Sequence, residues 1–258
     1  MLEVMFLEFW FPFLLIFARV AAFVAILPFF AWQGVPVMVR AFFAFVLSVL
    51  LALGWDGELE LPMTDLGLVM ILVREVLTGI ILGFLVYFFL AVFLMSGQFM
   101  DHKAGLMMSG SFDPMFGGQV TLIGQFFYLL AVVFYLSVDG HHLLFLALKE
   151  SFAVIPLAGP FVSATIFWEI MKTFTILFLL AFQIAAPVVI VLWMLDIGLG
   201  FLSKTVPQIH VFIVGLPLKI ALVLFIFMLT LPVMGGVMSD VFGMLARQLS
   251  FVIEHWYG

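Results

Sequence analysis

Apolar residues run along this chain in long blocks, at about 9–31, 37–55, 66–100, 119–138, 141–168, 173–195, 209–234 and 241–256, and their lengths predict helices rather than strands. A helix that crosses a bilayer needs about 20 mostly apolar residues. Val76–Met100 and Thr173–Leu195 each run without a charged side chain, so both predict spanning helices. Polar punctuation falls at Gly54–Asp65, an acidic stretch holding Gly57 and Pro62, at Gly110–Gly118 (GSFDPMFGG), and at Gly159–Pro160; each reads as a turn or loop. No low-complexity run, linker or short repeat divides the blocks. The expected fold is all-α, with the whole chain of residues 1–258 in one hydrophobic body.

Pro28, Pro187, Pro217 and Pro232 stand inside the apolar blocks. Each removes a backbone donor, so kinks or breaks are expected there. The basic residues Arg19, Arg40, Arg74, Lys103, Lys149, Lys172, Lys204, Lys219 and Arg247 are scattered singly, which erases the usual asymmetry between loops on the two sides of a membrane. A lone charge facing lipid costs at least about 2.5 kcal/mol, and an interrupted helix survives at membrane depth only under protein or beside a water-filled cavity. Arg19, Lys204 and Lys219 therefore call for cover, and partner subunits are its simplest source.

Composition sharpens this picture. Hydrophobic residues make up 67% and charged residues 9% of the chain, against roughly half and a quarter in soluble domains, so a water-solvated globular fold is excluded. The net charge of −6 leaves no nucleic-acid footprint. With no cysteine, disulfides, thiolate metal sites and thiol catalysis are excluded. Glu3 and Glu8 stand where a secretory signal carries basic residues, so the first hydrophobic segment is expected to remain in the mature protein.

Candidate chemistry is sparse. Asp139-Gly140-His141-His142 and Asp101-His102 pair carboxylates with imidazoles and fit proton transfer, while the plainer reading of the first is a turn in which Asp139 caps the next helix. There is no HExxH, and adjacent imidazoles on a helix diverge, so neither a metal site nor a cofactor is expected. Ser109 and Ser111 lack the nucleophile-elbow pattern. Arg74 and Glu75 fit an ion relay or, more simply, helix-start charges at an interface. Gly79 and Gly83 form a G-x-x-x-G spacing that admits close helix contact within a chain or between chains. In Gly105–Gly118, Met107, Met108, Phe112, Met115 and Phe116 lie among Gly110, Gly117 and Gly118; soft side chains on flexible backbone suit a movable apolar seal that excludes water, as well as a plain surface loop. A secondary transporter using Asp101, His102, Asp139 and His141 as an ion site is the rival reading; an intramembrane hydrolase is more distant.

Several motifs resemble the FliR family of type III secretion export-gate proteins, called SctT in virulence systems, over nearly the whole chain. FARVAAFVAILPFF and VPVMVRAFFAF carry the opening pattern through Arg19, Pro28, Val35, Pro36 and Arg40, and REVLTGIILGF the glycine-spaced helix of Gly79 and Gly83. The middle matches in GQFMDHKAGL, in Asp113-Pro114 and in the turn Asp139-Gly140-His141. The C-terminal signature is carried by Pro187, Asp196, Gly198, Pro207, Gln208, Val211, Phe212, Gly215, Pro217 and Lys219, with His210 departing from the usual asparagine; GLPLK resembles flagellar members.

The resemblance implies a single domain of hydrophobic helical hairpins with kinked helices, part of a membrane-associated helical hetero-oligomer with FliP-like and FliQ-like proteins, and with FlhB-like and FlhA-like export proteins, in the bacterial inner membrane at the flagellar basal body. It implies a FliP-like part over about 1–170 and a FliQ-like hairpin over about 171–258. It also implies that the loop of Met107, Met108, Gly110, Phe112, Asp113, Pro114, Met115, Phe116, Gly117 and Gly118 plugs a channel for unfolded protein substrates. Arg19, Pro36, Arg40, Gly79, Gly83, Asp139, Gly140, His141, Pro187, Asp196, Pro207, Gln208, Pro217 and Lys219 are then expected as subunit-packing or family-motif residues. No catalytic residue is implied.

Overall fold

A computed structural model of the chain describes residues 2–31, 35–55, 57, 65–107, 121–160, 162–205 and 211–257. The described residues form eight helices and no strand: α1 (Leu2–Ile26), α2 (Pro28–Ala31), α3 (Val37–Leu53), α4 (Asp65–Ala104), α5 (Leu122–Ser137), α6 (Gly140–Val154), α7 (Ala164–Thr205) and α8 (Val211–Glu254). Among the described residues three helical stretches are long and apolar enough to cross a membrane: Leu66–Ala104, Ala164–Thr205 and Val214–Glu254. The pair Leu122–Ser137 and Gly140–Val154, bent by 73° at its break, has the length and composition for a fourth. At about 1.5 Å per residue, each of the first three is roughly 60 Å long, about twice the hydrocarbon thickness of a bilayer.

The prolines do less damage than the sequence suggests. α7 runs unbroken through Pro187, and α8 through Pro217 and Pro232. A proline deletes one ladder hydrogen bond, and the intact turns on either side keep each helix continuous. Pro28 alone among the four falls at a break, where it starts α2 in the helix position whose N–H has no intrahelical partner in any case. The blocks at 209–234 and 241–256 are one helix rather than two. Gly235, Gly236, Ser239 and Asp240 dilute the apolar run, yet Met234, Met238, Val241, Leu245, Leu249 and Val252 keep a buried stripe at helical spacing straight through it. Conversely, the block at 141–168 ends early, at Val154, and its tail belongs to α7.

The chain divides into two compact units. The first takes Met1–Phe88, Asp139–Lys172 and Phe242–Gly258. Here α1 packs on α3 through Phe13 and Phe17 against Phe45, at ring separations of 5.7 and 6.4 Å. Gly79 and Gly83 of α4 let it approach α1 so closely that a Cβ on Gly79 would stand 2.2 Å from the Arg19 carbonyl oxygen, and one on Gly83 3.1 Å from that of Phe23. The glycine spacing therefore serves a contact within the chain.

The second unit takes Phe89–Val138 and Thr173–Val241. Phe227 of α8 sits 4.9 Å from Phe127 of α5, and Phe99 of α4 sits 6.0 and 5.9 Å from Phe178 and Phe182 of α7. The outer face of α8 is different in kind. Phe225, Met228, Leu229 and Val233 are each more than 60% exposed. An apolar face of that extent requires lipid or protein against it, not water.

Candidate functional site

The two ends of the stretch between α4 and α5 are held by one carboxylate. Asp101, in the last turn of α4, is fully buried. Both of its oxygens accept the Ile123 N–H at 3.1 Å, and Oδ2 also accepts the Gly124 N–H at 3.0 Å. Helix N-termini leave such donors without intrahelical partners. Thr121, at the N-cap of α5, makes no side-chain cap bond, so the cap comes from another helix. One turn before Asp101, α4 touches α5 backbone to backbone: a Cβ on Gly97 would stand 2.3 Å from the Gly124 Cα. Gly105 then ends α4 at φ +81, in the left-handed region that glycine enters without strain.

Of the expected plug, Met107 is half-buried, six residues beyond Asp101. Met108, Gly110, Phe112, Asp113, Pro114, Met115, Phe116, Gly117 and Gly118 lie outside the described residues, as do Pro207 and Gln208.

A cleft of about 560 Å³ opens in the same unit beside Gly105, lined among others by His102, Lys103, Asp196, Gly215 and Lys219. Asp196 on α7 pairs with Lys219 on α8, and with Lys103 on α4 at 3.5 Å. Lys103 also lies 5.3 Å from the Trp193 ring centre, within cation–π range. The charge that seemed to need a partner subunit at Lys219 is thus met inside the chain, whereas Lys204 is exposed. Because these groups are partly solvated, Lys219→Ala is expected to lower stability by less than about 1 kcal/mol. Asp196→Lys should cost more, since three cations then face one cleft, and adding Lys219→Asp should recover most of the loss; thermal unfolding in detergent measures all three.

In the first unit, Arg19 is the centre of a buried polar knot. Its Nε donates to Glu75 Oε2 at 2.6 Å. Nη1 donates to the carbonyls of Ser151 and Ile155, both at 3.1 Å, and Nη2 to that of Ile155 at 3.1 Å. Those carbonyls lie at the C-terminal end of α6, where the helix dipole favours a cation, and the Ser151 oxygen accepts the Ile155 N–H at 2.9 Å as well. The guanidinium also stacks 4.3 Å over the Phe152 ring. Glu75 Oε1 accepts the Ala158 N–H at 3.1 Å, which holds Ala158 at φ 62, a conformation unusual for a residue with a Cβ. The cover for Arg19 is intramolecular. Nor do Arg74 and Glu75 act as a pair: Arg74 donates instead to the Gly159 carbonyl at 3.4 Å.

The remaining motif residues are local devices. Pro36 is the N-cap of α3, and Arg40 reaches back to the Val35 carbonyl through Nε at 3.2 Å and Nη2 at 3.0 Å. This fold-back explains the Val-Pro-x-x-x-Arg spacing. Pro187 and Pro217 are exposed on their helices. Asp139 stands at the N-cap of α6 with Gly140 buried behind it, yet its side chain makes no cap bond. At φ 56 and ψ 26 it is left-handed, which aspartate tolerates better than most residues, and its carbonyl accepts the His142 N–H at 2.9 Å. The expected capping carboxylate is therefore a turn former instead.

Sequence reasoning did not find the Arg19–Glu75 pair, the Asp101 cap or the Gly97–Gly124 contact. Their partners are 56, 22 and 23, and 27 positions apart along the chain, and no local pattern links them.

Long apolar helices braced by buried polar knots, with wide apolar faces left open, define a membrane-spanning helical subunit. The family described as bacterial export proteins, family 1, matches residues 10–245. The chain is 37% identical over 235 residues to the flagellar biosynthetic protein FliR of Bacillus subtilis, covering 90% of each. It is 26% identical to the Escherichia coli protein of that name over 236 residues, again covering 90% of each. To the Aquifex aeolicus protein it is 27% identical over 254 residues, covering 96% of this chain and 95% of its relative. The chain belongs to this FliR family of bacterial export proteins.

Proposed function

We propose that this chain is a structural and gating subunit of a flagellar type III protein export gate in the bacterial inner membrane, at the basal body. It builds the entry channel for unfolded substrates together with FliP-like and FliQ-like subunits, with FlhB-like and FlhA-like proteins alongside. Residues 1–170 and 171–258 take the FliP-like and FliQ-like parts. Its work is packing and occlusion, not bond chemistry.

The observation that carries this reading is the Asp101 brace. A plug must seal against water yet yield to a passing chain, so its ends need fixed anchors while the stretch between them moves. Asp101 ties the end of α4 to the first amides of α5, and residues 108–120 lie between those anchors. Phe112, Met115 and Phe116 occlude the channel, and Gly110, Gly117 and Gly118 allow displacement. The same brace weighs against ion coupling, since a carboxylate already accepting backbone amides is poorly placed to load and release an ion.

Deleting residues 110–118 in a chain co-produced with its partners is expected to make the membrane leaky to small solutes, measured by solute entry into intact cells. Unchanged permeability with a normally assembled complex would overturn the plug. Recovery of FliP-like and FliQ-like proteins with a tagged chain tests the assembly; a clean monomer would overturn it.

A further inference from the structure

The turn into α6 carries a second constellation that export does not use. The donor atoms of Asp139, His141 and His142 all lie within 4.8 Å of one another. Adjacent imidazoles would diverge in the middle of a helix, but here they open its first turn and their rings lie 4.4 Å apart at 34°. The left-handed backbone at Asp139 brings its carboxylate into the same space, with Oδ1 3.8 Å from His142 Nδ1. His141 Nδ1 is buried and has no hydrogen-bond partner among the described residues.

We propose that Asp139, His141 and His142 form a binding site for a divalent transition-metal ion of the zinc class. Two imidazoles and a carboxylate are the donor set that Zn²⁺, Ni²⁺ and Cu²⁺ favour over Mg²⁺ or Ca²⁺. Donors on a tetrahedral ion with bonds of about 2.0–2.2 Å stand roughly 3.3 Å apart. The present spacing closes to that by side-chain rotation of Asp139 and His142, each 75% exposed and free to turn. Water completes the coordination, as in open three-ligand sites. The bound ion joins the N-cap residue to the first turn of α6 and holds Asp139 in its left-handed conformation. With only three protein ligands near solvent, affinity falls well short of a closed structural zinc site.

The test uses the full chain purified in detergent without a polyhistidine tag. Zn²⁺ binding is followed by calorimetry, and Co²⁺ binding by its visible absorption bands. One ion per chain is expected. His142→Ala should weaken binding at least about tenfold, and Asp139→Asn, which keeps the left-handed turn, should weaken it as well; His255→Ala should leave it unchanged. His142 is exposed, so its loss leaves the fold intact, which an unchanged elution profile verifies. Absence of saturable binding, or equal affinity in His142→Ala and the parent chain, overturns the site. Either outcome leaves the export reading untouched.

Discussion

Arg19→Ala is expected to remove most of the folded protein from the membrane and with it motility. The substitution strands Glu75, only 2% exposed, without its cation. It also strips the Ile155 carbonyl at the end of α6 of its guanidinium donors, and leaves the Ser151 carbonyl with the Ile155 N–H alone. Breaking a buried ion pair from one side costs about 3–5 kcal/mol, and a whole domain is stable by only about 5–15. Arg19→Lys should not rescue it. The contacts use Nε, Nη1 and Nη2 in a planar fork that a single ammonium cannot reproduce.

A double variant, Arg19→Met with Glu75→Met, separates charge from packing. Removing both partners leaves no isolated charge and is often close to neutral, although the Ile155 carbonyl and the Ala158 N–H still lose their partners. The double variant should therefore be more abundant than Arg19→Ala, though below the parent chain. Quantitative immunoblotting of membranes and swarm diameter in soft agar measure both. Parent-like levels for Arg19→Ala would show that the knot contributes nothing to stability.

The second large effect is expected at Gly97. Its added methyl would meet the Gly124 Cα at 2.3 Å and the Gly124 N at 2.4 Å. These are backbone atoms that no rotamer change can move, so α4 and α5 must separate. Overpacking of this kind costs about 1–3 kcal/mol or more. The separation also pulls Asp101 off the Ile123 and Gly124 amides, so Gly97→Ala should loosen the brace as well as the core. Limited proteolysis of the purified protein should then cut near the α4–α5 connection at a protease concentration that spares the parent.

Gly236→Ala is the matched control, because nothing lies within 4 Å of a Cβ there. In the isolated chain it should be neutral or stabilising by up to about 1 kcal/mol, as for any helical glycine. Lost export from a stable Gly236→Ala chain would place a partner against that face of α8. Equal protease resistance in Gly97→Ala and the parent would show that the close approach is not needed.

Much of this protein was legible in its sequence. Composition and block length determined the all-helical, membrane-spanning class, because apolar burial scales with area and helix period leaves its mark on any stretch long enough to read. Turn residues marked the breaks at Gly54 and at Gly159–Pro160. Motif spacing led to the family, and a local rule such as Arg40 reaching Val35 is short enough to be written in one segment.

Other features were decided by the tertiary structure alone. Whether Pro217 and Pro232 interrupt α8 depended on the intact turns around them and on a buried stripe that only packing supplies. Charges read as orphans found their partners within the chain, Arg19 at Glu75 and Lys219 at Asp196. Asp101, which looked like half of an acid–imidazole pair, became the cap of another helix. The physical reason is common to all of these. Hydrophobic burial is strong but non-directional, so it selects helices and collapses them without choosing which faces meet. That choice falls to a few close approaches and directional polar contacts, such as Gly97 on Gly124 and Asp101 on the α5 amides, whose partners are brought together only when the chain folds.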